Sequence, residues 1–371
     1  MDKEHLLRSV FKELKKSKII FNIHEWITGY KDIRVQRELH PEGSFKSSKQ
    51  VQEEKKLIRQ YWHCGTFHYH RYGLKYFNLS SEELLDYVPT YYHHRVLEKA
   101  HAGIDTVVYG DKLTQSRLFQ DRDIPSANIL AVCNARKWYD LDRNAPMDVN
   151  TIIDEYFKTN NNKLFIKPTG GQGGFGIMVL KKDNGKYLLD GKEITSLSLI
   201  NEKIGNCQYI LQEGIQQTKQ MMDINASSVN TLRVVVQKDG EKMIMRTCII
   251  RMGRKGREVD NSAQGGISVK VDIKTGQVAS TATAEHGGGV LTCHPDSNMD
   301  FGGIIIDNWL NLKNEIEAIG TKLIDFKNIA LDIAVTDEGA KLLEFNFRYG
   351  LEHQQCVLGG VRKLLGIYPD C

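Results

Sequence analysis

Ile329-Ala330-Leu331-Asp332-Ile333-Ala334-Val335 and Lys341-Leu342-Leu343-Glu344-Phe345-Asn346-Phe347 are two β-rich runs separated by five residues. Their spacing predicts an antiparallel hairpin closed by a three-residue loop, Asp337-Glu338-Gly339, with the glycine in the left-handed position. Alternation then sorts the side chains onto two faces. One predicted face carries Ile329, Leu331, Ile333 and Val335 beside Leu343, Phe345 and Phe347, all apolar. The other carries Ala330, Asp332 and Ala334 beside Leu342, Glu344 and Asn346. Counting outward from the loop sets Asp332 opposite Glu344, within one residue of register. Like charges so opposed destabilise a sheet. A divalent cation between them would remove that cost, and Asn346 offers a third oxygen on the same face. Hard oxygen donors without nitrogen or sulfur favour Mg²⁺ or Mn²⁺, often shared with substrate phosphates. The alternative is a solvent-exposed pair that repels weakly.

A second signal lies far upstream. The predicted strand Leu164-Phe165-Ile166-Lys167 runs into Pro168-Thr169-Gly170-Gly171-Gln172-Gly173-Gly174-Phe175-Gly176, and Ile177-Met178-Val179-Leu180 reads as a returning strand. Glycines at this density let backbone N–H groups converge on an anion without Cβ obstruction. Gly171, Gly173 and Gly176 formally match GxGxxG, but a dinucleotide fingerprint requires a helix after the loop. A P-loop would end in Gly-Lys-Ser/Thr, which is absent here. What fits is a hairpin flap over a nucleotide's phosphates, with Lys167 as a point charge beside it; a tight structural hairpin without ligand is the other reading. Asp300-Phe301-Gly302 spells the kinase DFG, yet no His-Arg-Asp loop exists, and Lys167 precedes the glycine loop instead of following it. That match is therefore coincidental.

Around these two motifs the grammar is α+β. Short apolar runs at 106–109, 164–167, 176–181, 208–213, 232–237, 243–251, 266–273, 329–335 and 341–347 read as strands of a mixed sheet. Asp111 is placed to cap a helix over 112–122, ended by Ile124-Pro125, and a further helix is expected over 307–322. Upstream, Leu6, Leu7, Val10, Phe11 and Leu14 make an apolar stripe at helical spacing, followed by Lys15, Lys16 and Lys18. Residues 61–78 are dense in aromatics and histidine. His63, Cys64, His68 and His70 fit no tetrahedral zinc spacing, so aromatic packing is the expectation.

Composition excludes several classes. The chain has 371 residues, 41% hydrophobic and 26% charged, an ordinary globular mixture that is too long for one small module. No apolar run reaches the length of a membrane span, and the charged start lacks a signal-peptide core, so a cytoplasmic protein is expected. A net charge of +4 does not by itself point to nucleic acid. Seven scattered cysteines without a CxxC pair read as reduced thiols.

The order of motifs resembles the ATP-grasp superfamily, in particular its sugar-transfer-associated branch, related to α-L-glutamate ligases. The resemblance covers roughly residues 85–371. It implies an ATP-grasp fold, two α+β sub-domains clasping ATP, with a helical, aromatic-rich region over 1–100. The ATP-grasp domain would then occupy 101–371, with a lid at about 150–215 and a metal-binding sub-domain at about 216–371. Gly110-Asp111-Lys112 looks like the first nucleotide-contacting lysine. Lys167 and the flap Gly170, Gly171, Gln172, Gly173, Gly174, Phe175 and Gly176 look like the second lysine and lid. Leu211-Gln212-Glu213-Gly214-Ile215 resembles the hinge that meets the adenine edge. Arg233 matches a phosphate- or substrate-facing arginine, and Asn261 with Gly265 and Gly266 resembles the loop over the triphosphate. Asp332, Glu344 and Asn346 match the metal triad. His294-Pro295-Asp296 resembles another motif of the branch, without an assigned role. Many relatives have Pro-Gly soon after the metal asparagine; here Phe347-Arg348-Tyr349-Gly350 follows, and Arg348 is a candidate phosphate or carboxylate contact. The resemblance implies ATP with Mg²⁺ or Mn²⁺, and small-molecule carboxylate and amine substrates, plausibly sugar-linked. It also implies surface-polysaccharide work beside glycan-assembly enzymes. A small-molecule kinase and a non-catalytic nucleotide-binding module are the rival readings.

Overall fold

The computed structural model describes residues 32–141, 145–159, 163–170, 175–254, 256, 265–284 and 290–369. The Leu6–Leu14 stripe, Gly171, Gln172, Gly173, Gly174 and Asn261 lie outside the described residues.

The β-branched and apolar runs assemble into two separate antiparallel sheets rather than one mixed sheet. The first contains β1 (Ile129–Asn134), β2 (Lys137–Tyr139), β3 (Pro146–Met147), β4 (Leu164–Pro168), β5 (Met178–Asp183), β6 (Lys186–Leu189), β7 (Lys192–Ile194) and β8 (Tyr209–Glu213). Their order is β3-β2-β1-β8-β4-β5-β6-β7. The second contains β9 (Thr231–Asp239), β10 (Lys242–Met252), β11 (Ile267–Val271), β12 (Val278–Ala284), β13 (Val290–Leu291), β14 (Asn328–Thr336) and β15 (Gly339–Asn346), in the order β13-β12-β11-β10-β9-β14-β15.

The first sheet packs the helices Val149–Thr159 and Ser198–Ile204 through Ile153, Phe157, Ile200 and Ile204, against Leu164, Ile166 and Leu211. The second sheet buries both faces. One face carries Val234, Val236, Ile250, Leu331, Ile333 and Phe345, and packs the helix Trp309–Lys322 through Trp309, Leu312, Ile316 and Ile319. On the other face, Val235 and Ala330 join a cluster with Ile58, Trp62, Tyr69, Leu74, Tyr92 and Leu97 of the helical region, and with Tyr349, Leu351 and Val361. Trp62, Tyr69 and Tyr72 of the aromatic stretch are therefore packing residues, whereas Phe77 is exposed. His68 is buried in that cluster and its pKa is pushed down to about 3 by desolvation.

Several sequence expectations need correction. Residues 106–109 form no strand; a 3₁₀ turn spans Val108–Gly110, and Val107 and Val108 are exposed. Strands β1, β2, β3, β6, β7, β12 and β13 were not anticipated; β2, β3, β6, β7 and β13 are only two to four residues long, whereas β1 is an apolar run, Ile129-Leu130-Ala131-Val132-Cys133, that was overlooked. In the carboxylate hairpin, Asp332 does pair with Glu344, but the ladder shifts between Asp332 and Ile333, where Ile333 pairs with Leu342. A β-bulge thus separates the two leucines. Leu342 is fully buried in the core, and Leu343 turns to the opposite face, the reverse of strict alternation. The turn is also tighter than predicted, since Thr336 pairs with Gly339, whose φ is +106°.

Candidate active site

Between the two sheets lies a cleft of about 300 Å³. Its first-sheet wall is Phe165, Lys167, Pro168, Phe175, Ile177, Ile210, Gln212 and Glu213, and its second-sheet wall includes Thr231, Arg233, Arg251, Asp332, Leu343, Glu344 and Asn346. Lys112, Ser116 and Phe119 close one side, with Ile215 and Val229 on the segment between β8 and β9 and Arg348, Tyr349 and Gly350 at the far end.

Local chemistry explains how each group is held. Asp111 caps the helix Lys112–Asp121, its Oδ1 accepting the N–H groups of Leu113 and Thr114, each at 3.0 Å. This sets Lys112 at the first helical position, where its backbone N–H reaches the Thr169 carbonyl at 2.9 Å. One turn along, Gln115 docks the helix on the free edge of β15. Its Nε2 donates to the Phe345 carbonyl at 2.9 Å and its Oε1 accepts the Phe345 N–H at 3.1 Å. A side-chain amide so replaces a strand neighbour and covers the edge beside Glu344 and Asn346.

On the opposite wall, Lys167 Nζ donates to Gln212 Oε1 at 2.8 Å and sits 5.0 Å above the Phe165 ring. Gln212 in turn donates to the Ala127 carbonyl, and Glu213 Oε1 accepts from the backbone and side chain of Asn128. The lysine is therefore oriented by a strand-borne amide.

The charge centre lies on three adjacent strands. Arg233 pairs across the ladder with Asp332 and grips it with two nitrogens, Nε to Oδ1 and Nη2 to Oδ2, the latter at 2.9 Å. Arg251 reaches over β9 from the next strand, its Nη1 3.3 and 3.4 Å from the two carboxylate oxygens. Burial pushes the Asp332 pKa up, but the two guanidiniums outweigh it and hold the carboxyl below its ordinary value. The compensation foreseen from a cation alone thus comes from two arginines. Asn346 Nδ2 donates to Glu344 Oε1 at 3.4 Å, and both side chains are half-buried at the cleft. Among the described residues no three His, Cys, Asp or Glu converge on a common point. The donor set is instead two register-paired carboxylates plus an amide, with Glu344 and Asn346 the more open members; this hard-oxygen chemistry fits Mg²⁺ or Mn²⁺.

The remaining expected residues fall as follows. Gly170 is exposed and lies outside the cleft lining, as do Gly176 and Gly214; the Gly214 N–H bonds the Lys163 carbonyl. Gly265 has φ +90° and bonds Arg254 through its carbonyl, while neither it nor Gly266 reaches the cleft. His294 is structural. Its Nδ1 accepts the Asp296 N–H, so Nε2 carries the proton donated to the Gly253 carbonyl at 2.8 Å. Asp300-Phe301-Gly302 is a turn whose phenylalanine is core. Sequence reasoning missed Arg251, Gln115, Phe165 and Leu343. Arg251 had a signal, a lone cation interrupting the apolar run Cys248-Ile249-Ile250-Arg251-Met252.

The cleft sets Lys167 on one sheet against an arginine–carboxylate centre on the other, with Lys112 closing one side. Residues 92–365 match the sugar-transfer associated ATP-grasp family, about three-quarters of the chain, and the chain belongs to that family. Among solved structures it is similar to biotin carboxylase from Campylobacter jejuni, at 13% identity over 70% of this chain and 46% of that one, with a TM-score of 0.39. D-alanine–D-alanine ligase from Bacillus anthracis is similar at 12% identity over 70% of this chain and 64% of that one, with a TM-score of 0.36. Carboxyaminoimidazole ribonucleotide synthase from Aspergillus clavatus, solved with ATP, is similar at 8% identity over 71% and 53%, with a TM-score of 0.38. The chain thus spans about half to two-thirds of the length of these structures. No curated protein matches it. Among the described residues no helix is long and apolar enough to cross a membrane.

Proposed function

We propose that this protein is an ATP-dependent carboxylate–amine ligase that works through an acyl phosphate. The observation that carries this reading is the cleft in which Lys112 and Lys167 face Arg233, Asp332, Glu344 and Asn346. A carboxylate is a poor electrophile; phosphorylation by ATP makes it an acyl phosphate that an amine opens to an amide. Lys112 and Lys167 hold the α- and β-phosphates as point charges. Gln212, Glu213 and Ile215 meet the base at the hinge, and Phe165, Ile210 and Leu343 supply its apolar surround. Asp332, Glu344 and Asn346 would hold Mg²⁺, whose chemistry would be to neutralise phosphate charge. Arg233 and Arg348 stabilise the phosphoryl group in transit. Phe175, which lines the cleft, excludes the water that would hydrolyse an acyl phosphate.

Membership in the sugar-transfer associated branch supports a sugar acid as one substrate and a place beside glycan-assembly enzymes in the cytoplasm. The test is ADP release with Mg²⁺–ATP against a panel of uronic acids and amino acids, with hydroxylamine added. A hydroxamate is expected from the true donor. ADP release without a hydroxamate, and with a phosphate ester as product, would make the protein a small-molecule kinase instead.

A further inference from the structure

Asp332 is more fully bonded than a carboxylate waiting for a metal needs to be. Its two oxygens offer about four lone-pair sites. Arg233 takes one on each oxygen, through Nε and Nη2. Arg251 Nη1 lies across both, 3.4 Å from Oδ1 and 3.3 Å from Oδ2. The carboxylate is thereby ringed by N–H groups. Its ladder partner Glu344 keeps the weaker contact, the Asn346 amide at 3.4 Å.

The charges point the same way. Arg233 and Arg251 already balance Asp332 and Glu344 before any ligand enters. Among the described residues that line the cleft, five Lys and Arg side chains stand against three Asp and Glu. The Arg251 and Asp332 side chains are 10% and 6% exposed, so water and salt screen little of this. A bare dication entering here meets charge of its own sign and finds the deepest carboxylate taken. A metal carried by a triphosphate is a net anion, and its phosphate oxygens offer a guanidinium what a carboxylate offers. The two arginines also differ in grip. Arg233 holds Asp332 with two separate nitrogens across the ladder, whereas Arg251 divides one nitrogen between two oxygens at longer range. Arg251 is the weaker partner and the one that can yield.

Resting on the ligase reading above, we propose that Arg251 is a specificity-determining residue: it latches Asp332 against a bare divalent cation, so that the site takes metal only together with the phosphates of its nucleotide. The phosphates give Arg251 a second anion. Its shared bond to Asp332 then opens and frees one lone pair on each oxygen. Without that second anion the latch stays shut, because a buried guanidinium does not leave its only partner.

The experiment titrates the full chain with Mn²⁺ and reads the free ion by electron paramagnetic resonance, first without nucleotide and then with a saturating non-hydrolysable ATP analogue. Nucleotide-free wild type should bind Mn²⁺ about tenfold or more weakly than the loaded protein. Arg251→Met, or Arg251→Gln where the apolar side chain fails to fold, should tighten nucleotide-free binding about tenfold, the worth of one cation close to a dication. A purely structural brace predicts the opposite sign, since an unbraced Asp332 would hold a metal less firmly. Arg251→Lys keeps the charge and should change nucleotide-free binding by no more than about twofold. Equal Mn²⁺ affinity in the two states of the wild type, unchanged or weaker nucleotide-free binding in Arg251→Met and Arg251→Gln, or equal tightening in Arg251→Lys would each overturn the proposal while leaving the ligase reading intact. Failure of the wild-type chain to bind the analogue with Mn²⁺ present would bring down the ligase reading and this inference with it.

Discussion

The two walls of the cleft hold their charges by different means. On β9, β10 and β14, Arg233, Arg251 and Asp332 lock one another across a sheet buried on both faces. On β4, Lys167 is held by Gln212 and lies over the Phe165 ring, in a sheet with a smaller core. Buried ion networks resist rearrangement, because removing one member strands the others without water. A half-buried lysine held by a side-chain amide adapts cheaply. The difference suits a fixed reaction centre facing a compliant anion clamp.

That contrast can be broken or sharpened by substitution. Glu344→Gln should have the largest effect on chemistry, lowering turnover by on the order of a hundredfold or more with the fold intact by circular dichroism. Full turnover would remove the carboxylate triad from the reaction. Asp332→Asn should reach further and destabilise the protein by about 3–5 kcal/mol, since two guanidiniums lose their anion; urea unfolding measures this, and a loss within 0.5 kcal/mol, roughly the scatter of surface changes, would contradict the network. Lys167→Ala should leave stability nearly unchanged and weaken nucleotide binding about tenfold. Unchanged affinity would mean that this wall is not a phosphate clamp. Gln115→Leu should cost roughly 1–3 kcal/mol by leaving the Phe345 N–H and carbonyl unsatisfied, and unfolding curves would show whether the helix is docked that way.

A further effect concerns the face behind the reaction centre. Burial lowers the pKa of His68 and of His93 from 6.5 to about 3, and burial with Lys55 lowers His70 to about 4. The unfolded chain therefore binds more protons than the folded one below pH 6.5. The stability these groups contribute is complete above that pH and drains away as pH falls toward 4 and then 3. Urea midpoints recorded from pH 7 down to pH 5 should fall, and His68→Leu should flatten the slope.

Much of this was readable from residues. Asp332 against Glu344 followed from alternation and a short loop, and Asp111 as a cap followed from side-chain chemistry. Arg233 could be nominated, but not its partner, because cross-strand order is a long-range property that local patterning does not carry. The bulge at Leu343 defeated alternation for the same reason that bulges always do: one extra residue leaves no mark in composition. Short polar strands such as Lys137–Tyr139 and Lys192–Ile194 carry too few apolar residues to announce themselves. Gln115, an ordinary polar residue on a helix, gained its meaning from the strand edge beside it.

The cluster joining Ile58, Trp62, Tyr69 and Leu97 to Tyr349, Leu351, Val361 and Ile367 has a consequence for biogenesis. A ribosome makes the helical half of that cluster first and the residues that cover it some 250 positions later. Through most of translation those aromatics therefore lack the residues that cover them. Stop codons that remove even the last few dozen residues should then yield insoluble product rather than a shortened enzyme.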